Sequence, residues 1–143
     1  MSRRADVAGD RGERISYPER LRQRAATEPA RSALLLVDSD GRETSVSLAD
    51  LANVTERASH ALCRAGVGSN SLVIVELPTG TAHFAATLGA WRLGACVVPL
   101  SPALPDPEWR QIVEVACGWR PTVVVTERTA GVVQRVDPAD LDA

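Results

Sequence analysis

The sequence contains no lysine, so all 16 of its basic residues are arginine. A chain without lysine cannot form a Schiff base, supply the lysine of a phosphate-binding loop or use a lysine nucleophile. The arginines are spread along the chain, and the net charge of −2 gives no electrostatic basis for binding nucleic acid or an anionic membrane. We therefore expect neither of these partners.

Long apolar runs are also missing, and none approaches the roughly 20 residues that a membrane-spanning helix requires. Residues 1–14 are polar and charged, and they lack the apolar segment of a secretory signal. They are predicted to form a flexible tail. These absences favour a cytoplasmic protein.

Cysteine is scarce, with only Cys63, Cys96 and Cys117 in the chain. The three lie far apart in apolar surroundings, none is in C-x-x-C spacing, and any disulfide would leave one unpaired. The pattern predicts buried free thiols in a reducing compartment rather than a metal or redox site.

The first half of the chain carries signals for a short helix, a hairpin and a long helix. The short helix follows Ser16, and the hairpin strands 32–37 and 42–46 flank a turn that ends in Gly41. The hydroxyl of Ser47 can cap the long helix, which ends at Gly66. Small and apolar residues of this helix recur at steps of three and four, which places them on one face: Leu48, Leu51, Thr55, Ala58, Leu62 and Ala65.

The second half alternates strands with helices. Leu72–Leu77, Ala95–Pro99 and Pro121–Thr126 are predicted strands that are apolar on both faces, and Asp106-Pro107 provides an N-cap and a first-turn proline for the second helix. The pattern predicts an α/β fold: a small three-layer parallel-sheet subdomain (βαβαβ) preceded by a β-hairpin and two helices. If the strands follow one another in sequential order, both crossover helices cover one face, and the hairpin and the Ser47–Ala65 helix cover the other.

Two glycine-containing loops bear a superficial likeness to nucleotide-binding motifs. Gly66–Ser71 lacks the third glycine of a dinucleotide fingerprint and lies after a helix and before a strand, which is the reverse of the required order. Pro78–Thr81 has the right order, and the free amides of the following helix could attract an anion. No lysine follows it, however, so an ordinary strand-to-helix turn is the favoured interpretation.

The remaining polar and aromatic candidates do not form a recognisable constellation. His60 and His83 have neither metal-ligand spacing nor a nucleophile motif, so both are predicted to lie at the surface or its boundary. Trp91 is in phase with Phe84 and Leu88, which favours core packing over ligand stacking. Asp38/Asp40 and Asp137/Asp140 fall in turn or tail sequence. No catalytic, cofactor-binding or metal-binding residue is predicted.

The segment Trp91–Pro102, WRLGACVVPLSP, resembles a signature of the adenylate-forming enzymes, which often read LKAGAVVVPLNP there. These enzymes are the acyl-CoA synthetases, the nonribosomal peptide adenylation domains and the luciferases, a superfamily of AMP-binding ligases. The resemblance continues in unbroken order from about Ser16 to Thr126. It includes four further segments: Thr44–Leu51, Ala61–Gly68, Val73–Pro78 and Asp106–Thr126.

The resemblance implies an N-terminal subdomain at 15–127, followed by a C-terminal tail at 128–143. In this family ATP and a carboxylate react to give an acyl-adenylate, and a thiol then accepts the acyl group. The residues that perform this chemistry follow the matched part, so none is assigned to this chain. ATP and Mg are implied for the complete enzyme, and no cofactor is expected to bind this chain alone.

The sequence therefore predicts the N-terminal fragment of an ATP-dependent, acyl-CoA ligase-like enzyme that forms an acyl-AMP. Alone it is expected to be inactive, because the rest of the fold would come from a second polypeptide, as in a split enzyme. The alternative is a non-catalytic scaffold derived from such an enzyme. Unpaired sheet edges favour either a complementary polypeptide or a homo-oligomer.

Overall fold

The computed structural model of the chain describes residues 15–128 and 135–141. The predicted flexible tail at 1–14 lies outside the described residues. The elements, in chain order, are α1 (Tyr17–Thr27), β1 (Ser32–Val37), β2 (Glu43–Ser47), α2 (Leu48–Arg64), β3 (Leu72–Glu76), α3 (Thr81–Arg92), β4 (Cys96–Pro99), α4 (Asp106–Trp119), β5 (Thr122–Thr126), β6 (Arg135–Val136) and a 3₁₀ turn (Pro138–Leu141). The α/β prediction is confirmed.

The main sheet is entirely parallel and has the strand order β4-β3-β5-β6. The predicted parallel strands β3, β4 and β5 are therefore confirmed. They do not follow one another in sequential order, the case in which both crossover helices would cover one face, because β3 lies between β4 and β5. The two crossovers run in opposite directions across the sheet: the first goes from β3 out to β4, and the second goes from β4 back past β3 to β5. Since both are right-handed in such folds, their helices must lie on opposite faces.

The core confirms this arrangement of layers. Val73 and Val75 face α2 and α3, in a cluster whose helical members are mostly alanines. Leu72 and Ile74 face the other way, where they pack against Trp109 and neighbouring apolar residues of α4. Because successive residues of a strand point to opposite sides, each run of consecutive apolar residues serves both layers.

The segment assigned to a C-terminal tail contributes to the sheet. Arg135–Val136 pairs in parallel with Val124 and Val125, and Leu141 of the following turn is only 2% exposed. A strand of two residues is too short to show the alternation from which strands are predicted. No local sequence pattern therefore indicates this strand.

Local signals fixed most helix ends correctly. The Ser47 hydroxyl accepts a hydrogen bond from the Asp50 amide at 3.1 Å, and Gly66 has a φ angle of 89°. The assignment of Asp106 as the N-cap of α4 is wrong by one residue, since Pro105 occupies that position. The Asp106 carboxylate contacts the guanidinium of Arg128 instead of capping the helix.

The hairpin is separate from the main sheet and pairs β1 with β2 antiparallel. At its turn the Asp38 carboxylate accepts hydrogen bonds from the amides of Asp40 and Arg42, and Gly41 has a φ angle of 77°. These contacts stabilise the turn locally, as expected for aspartates in turn sequence.

In the described ranges, none of the helices has both the length and the hydropathy needed to cross a bilayer.

Candidate functional site

The strand order places a topological switch point between β3 and β5. The chain leaves β3 towards β4 on one side and returns past it to β5 on the other. In open parallel sheets, ligands bind in the crevice that this divergence creates at the carboxyl ends of the strands. Here the crevice is formed by Glu76 at the end of β3 and its register partner Thr126 at the end of β5.

Glu76 is a buried carboxylate at the base of the crevice, with a side chain that is 2% exposed. Its Oε1 accepts hydrogen bonds from the Thr126 hydroxyl at 2.7 Å and from Nε of Arg128 at 2.8 Å. Its Oε2 is also buried, and no described residue donates a hydrogen bond to it. Buried polar atoms without a partner are unusual in folded proteins.

Arg128 lines the crevice, and its guanidinium has several polar partners. Besides Glu76, its guanidinium contacts the Asp106 carboxylate and the carbonyl oxygens of Pro102 and Leu104. The guanidinium carbon lies 5.2 Å from the centre of the Trp109 ring, within the range of a cation–π contact. Arg128 therefore ties the end of β5 to the loop after β4 and to the start of α4.

A cavity of about 230 Å³ remains in the crevice, lined by Glu76, Pro78, Pro102, Glu127 and Arg128. The loop Pro78–Thr81, which connects β3 to α3, contributes Pro78 to the lining of this cavity. Gly80 has an extended φ of 177°, and a Cβ on it would meet only the Pro78 carbonyl oxygen, at 3.9 Å. The glycine is therefore not required for a close backbone approach, and the loop has the geometry of an ordinary turn.

The other loop, Gly66–Ser71, lies at the opposite end of the strands. The Ser71 hydroxyl accepts a hydrogen bond from the Gly68 amide at 2.9 Å, which closes the turn between α2 and β3. This loop is a helix-to-strand connection, as predicted, and it does not reach the crevice.

The histidines lie where expected, because His60 is exposed and His83 is partly buried beside the edge of Phe84. The three cysteines are free, but the prediction that they are buried is wrong. Cys63 and Cys96 are exposed and Cys117 is half-buried. Cys63 points away from the core face of α2, and Cys96 begins the edge strand β4.

Core packing of Trp91 is also not observed, since the residue is 42% exposed. Its ring contacts the Tyr17 ring, with the centroids 6.0 Å apart. Both rings border a groove of about 580 Å³ beside the hairpin, whose rim carries Arg20, Arg24 and Arg31. Phe84 and Leu88, which share the phase of Trp91, pack partly buried in the cluster beneath the hairpin.

Glu28 lies between two of these rim arginines. Its carboxylate accepts hydrogen bonds from Arg24 at 2.8 Å and from Arg31 at 2.9 Å. These hydrogen bonds hold the pKa of Glu28 below its ordinary value, and the one from Arg24 has the larger effect. The groove is therefore less cationic than its three arginines suggest.

A smaller cavity of about 340 Å³ separates α1, α2 and α3. Its rim carries Glu19, Arg22, Glu56 and Arg92, so the formal charges cancel. The Thr55 hydroxyl beneath it is buried and receives no hydrogen bond from a described residue. Throughout 15–128 and 135–141, no group of three His, Cys, Asp or Glu side chains is placed to hold a metal ion.

Neither Glu76 nor Arg128 is predicted from the sequence as a site residue. A signal was present, because Glu76 interrupts an otherwise apolar strand, and a buried carboxylate requires a partner. The partner is 52 residues away in the chain, so no local pattern identifies it.

Comparisons with known proteins agree with the geometry of this fold. The family model for AMP-binding enzymes matches residues 21–142. The pyochelin synthetase PchE of Pseudomonas aeruginosa (strain UCBPP-PA14) is 38% identical over 95 residues, which are 66% of this chain and 6% of that protein.

Solved structures show the same fold. The N-terminal subdomain of Klebsiella oxytoca NpsA in complex with anthranilyl-AMSN superposes with a TM-score of 0.69 at 16% identity, covering 87% of this chain and 31% of that chain. The O-succinylbenzoate coenzyme A synthetase MenE of Bacillus subtilis, in complex with AMP, has a TM-score of 0.67 at 23% identity, covering 85% of this chain and 31% of that one. The chain thus spans less than a third of each solved chain.

Proposed function

The chain belongs to the AMP-binding enzyme family, and on that premise we propose that it serves an ATP-dependent enzyme that activates a carboxylate as an acyl-adenylate. The chain supplies the N-terminal part of the fold. The match over residues 21–142 carries the proposal. The acyl-CoA ligase-like signature at Trp91–Pro102 favours coenzyme A ligation as the second step.

The described residues do not fit ATP or Mg²⁺ by themselves. Phosphoryl and adenylyl transfer depends on cationic groups and hydrogen-bond donors held around the phosphates. The sequence has no lysine that could bind a phosphate. The guanidinium of Arg128, at the crevice, already donates hydrogen bonds to Glu76, Asp106 and two carbonyl oxygens. We therefore assign this chain no catalytic step and expect it to be inactive alone.

The edges of the sheet support the need for a partner. The strand β4 has no neighbour on its outer side within the described residues, and its first and last residues, Cys96 and Pro99, are exposed. On the other side, β6 pairs with only Val124 and Val125 of the five-residue strand β5. Unpaired edges are templates for another chain. We propose that a complementary polypeptide carrying the rest of the fold covers them, or that the chain self-associates.

A second candidate function is a non-catalytic scaffold. One observation favours it: at the switch-point crevice, where α/β sheets bind their ligands, Arg128 is paired with the buried Glu76 and the remaining cavity of about 230 Å³ is small for a nucleotide. In that case the subdomain would retain the fold of the family and bind a partner protein without contributing to adenylation.

Pyrophosphate exchange tests these proposals. The purified chain is incubated with ATP, Mg²⁺, labelled pyrophosphate and a broad panel of carboxylic acids, first alone and then with a separate polypeptide that carries the remainder of an AMP-binding fold. We expect no exchange above a no-protein blank with the chain alone, and acid-dependent exchange after mixing. Exchange by the chain alone would contradict the claim that it is inactive.

The mixing arm separates the two functions. No exchange with a well-folded partner that binds the chain would favour the scaffold. Light scattering coupled to size exclusion, with reductant present because Cys63 and Cys96 are exposed, gives the association state. A stable monomer that binds no dye for exposed apolar surface would refute the need for a partner.

A further inference from the structure

The buried Glu76 carboxylate has half of its hydrogen-bonding capacity unused. Oε1 already accepts from the Thr126 hydroxyl and the Arg128 guanidinium, whereas Oε2 accepts from no described residue. A buried charged acceptor that loses water without gaining a donor is costly, so a donor at this position would be strongly favoured.

Arg128 cannot turn to satisfy that second oxygen. Its Nε donates to Oε1, one terminal nitrogen contacts Asp106, and the other donates to the carbonyl oxygens of Pro102 and Leu104. One guanidinium therefore serves two carboxylates, and a third carboxylate, Glu127, also lines the cavity. The local charge is negative, so the missing donor should be cationic.

The size and walls of the cavity limit what this cation can be. At about 230 Å³ the cavity is smaller than the roughly 300–1,000 Å³ of typical small-molecule pockets. Pro78 and Pro102 offer apolar walls, which suit methylene groups beside a charged head. The site fits a compact cation on a short alkyl chain.

The hydrogen-bond pattern selects among cations. A guanidinium binds a carboxylate best through both oxygens, but Oε1 of Glu76 already has two donors. A Ca²⁺ or Mg²⁺ ion needs several oxygen ligands, and among the described residues no group of three acidic, His or Cys side chains is placed to hold a metal ion. A primary ammonium needs only one free oxygen for one of its three donors.

We propose that the crevice between β3 and β5 binds a primary alkylammonium group, with the Glu76 carboxylate as its anionic acceptor and Glu127 as a second negative charge at the opening. Oε2 is enclosed in this structure, so binding includes a side-chain movement that opens this oxygen to the cavity. The chain has no lysine, so none of its side chains can supply this group. The ammonium comes either from a free amine or from a lysine of another polypeptide. This binding site does not depend on adenylation chemistry.

The test uses n-propylammonium chloride, titrated into the full-length chain at constant ionic strength and followed by amide chemical shifts. We expect saturable shifts at Glu76, Thr126 and Arg128. The neutral analogue 1-propanol and equal concentrations of sodium chloride should not produce them. If 1-propanol gives the same shifts, or if no probe gives saturable shifts, the proposal is wrong and the cavity holds water only.

Variants locate the site. Glu76→Gln should weaken propylammonium binding at least tenfold, whereas the matched control Glu114→Gln, at an exposed position on α4, should leave it unchanged. If Glu76→Gln fails to fold, Glu127→Gln serves instead, because this exposed side chain lines the opening. It should weaken binding several-fold relative to Glu114→Gln, and unchanged affinity would overturn the proposal.

A peptide arm identifies the source of the ammonium. The tripeptide Gly-Lys-Gly, blocked at both ends, is compared with blocked Gly-Gln-Gly. Saturable binding of the lysine peptide alone at the same amides would support a lysine from a partner polypeptide. Binding of propylammonium without the lysine peptide would support a free amine. If neither binds, the site is not an ammonium site.

Discussion

Replacement of Gly89 by alanine should destabilise the fold, although alanine is the better helix former. Gly89 lies on α3 where that helix packs against α2. A Cβ on Gly89 would lie 2.9 Å from the Ser59 amide nitrogen and 3.2 Å from both the carbonyl carbon and the Cβ of Ala58. Ala58 and Ser59 are buried, so the obstacle is the backbone of a packed helix rather than a mobile side chain.

The expected magnitude follows from two opposing terms. Alanine in place of glycine inside a helix contributes about 1 kcal/mol of stability. Carbon atoms pack best about 3.5–4.0 Å apart, so α3 would have to move away from α2 by several tenths of an ångström along their contact. Overpacking of this kind costs about 1–3 kcal/mol. We therefore expect a net loss of about 1 kcal/mol for Gly89→Ala.

The matched control is Gly118→Ala on α4. A Cβ on Gly118 would have no neighbour within 4 Å, so only the helix-propensity term remains. This variant should be more stable than the wild type by up to about 1 kcal/mol. The measurement is urea unfolding followed by circular dichroism, with the free energies extrapolated to water. If Gly89→Ala is as stable as Gly118→Ala, the close packing of α2 on α3 is not rigid, and the reasoning is refuted.

Two further predictions concern single contacts. Ser47→Ala removes the hydrogen-bond acceptor of the Asp50 amide and should reduce the free energy of unfolding by about 1 kcal/mol. Ser47→Asp keeps an acceptor at this position and should largely retain the wild-type stability. An equal loss in both variants would contradict a capping role. Glu28 should titrate below its ordinary pKa in a carboxyl-carbon NMR titration, and Arg24→Gln should raise that pKa. Because the folded-state pKa is the lower one, this pairing stabilises the fold above the unfolded-state pKa, and its effect is lost as the pH falls through the folded-state pKa. An ordinary Glu28 pKa in the wild type would show that the contacts with Arg24 and Arg31 are not maintained in solution.

The elements were predictable from the sequence because their signals are local. The period of α2, the cap at Ser47 and the glycines at positions 41 and 66 each involve residues within a few positions of one another. The strand order was not predictable in this way. Strands that are apolar on both faces are compatible with β3 at the edge or at the centre of the sheet, and right-handed crossovers permit both orders.

The exposure of individual side chains was not predictable from the sequence for a related reason. Helical phase places Trp91 with Phe84 and Leu88, but phase alone does not say how far the neighbouring layer extends. The hairpin cluster reaches Phe84 and Leu88, while Trp91 lies beyond it and meets the exposed Tyr17. The length of the covering element decides burial at the end of a helix, and that length is a tertiary property.

At the crevice, the sequence indicates that Glu76 needs a hydrogen-bonding or cationic partner but does not indicate which residue provides it. A carboxylate inside an apolar strand costs several kcal/mol unless a donor or cation meets it. The sequence offers 16 arginines, so composition cannot choose among them. The parallel register makes the choice, because it sets Thr126 beside Glu76 and so carries Arg128, two residues further on, to the same end of the sheet. The same register leaves Oε2 of Glu76 facing no donor of the described chain, and a residue that the fold buries but does not fully satisfy is where an external ligand gains most by binding.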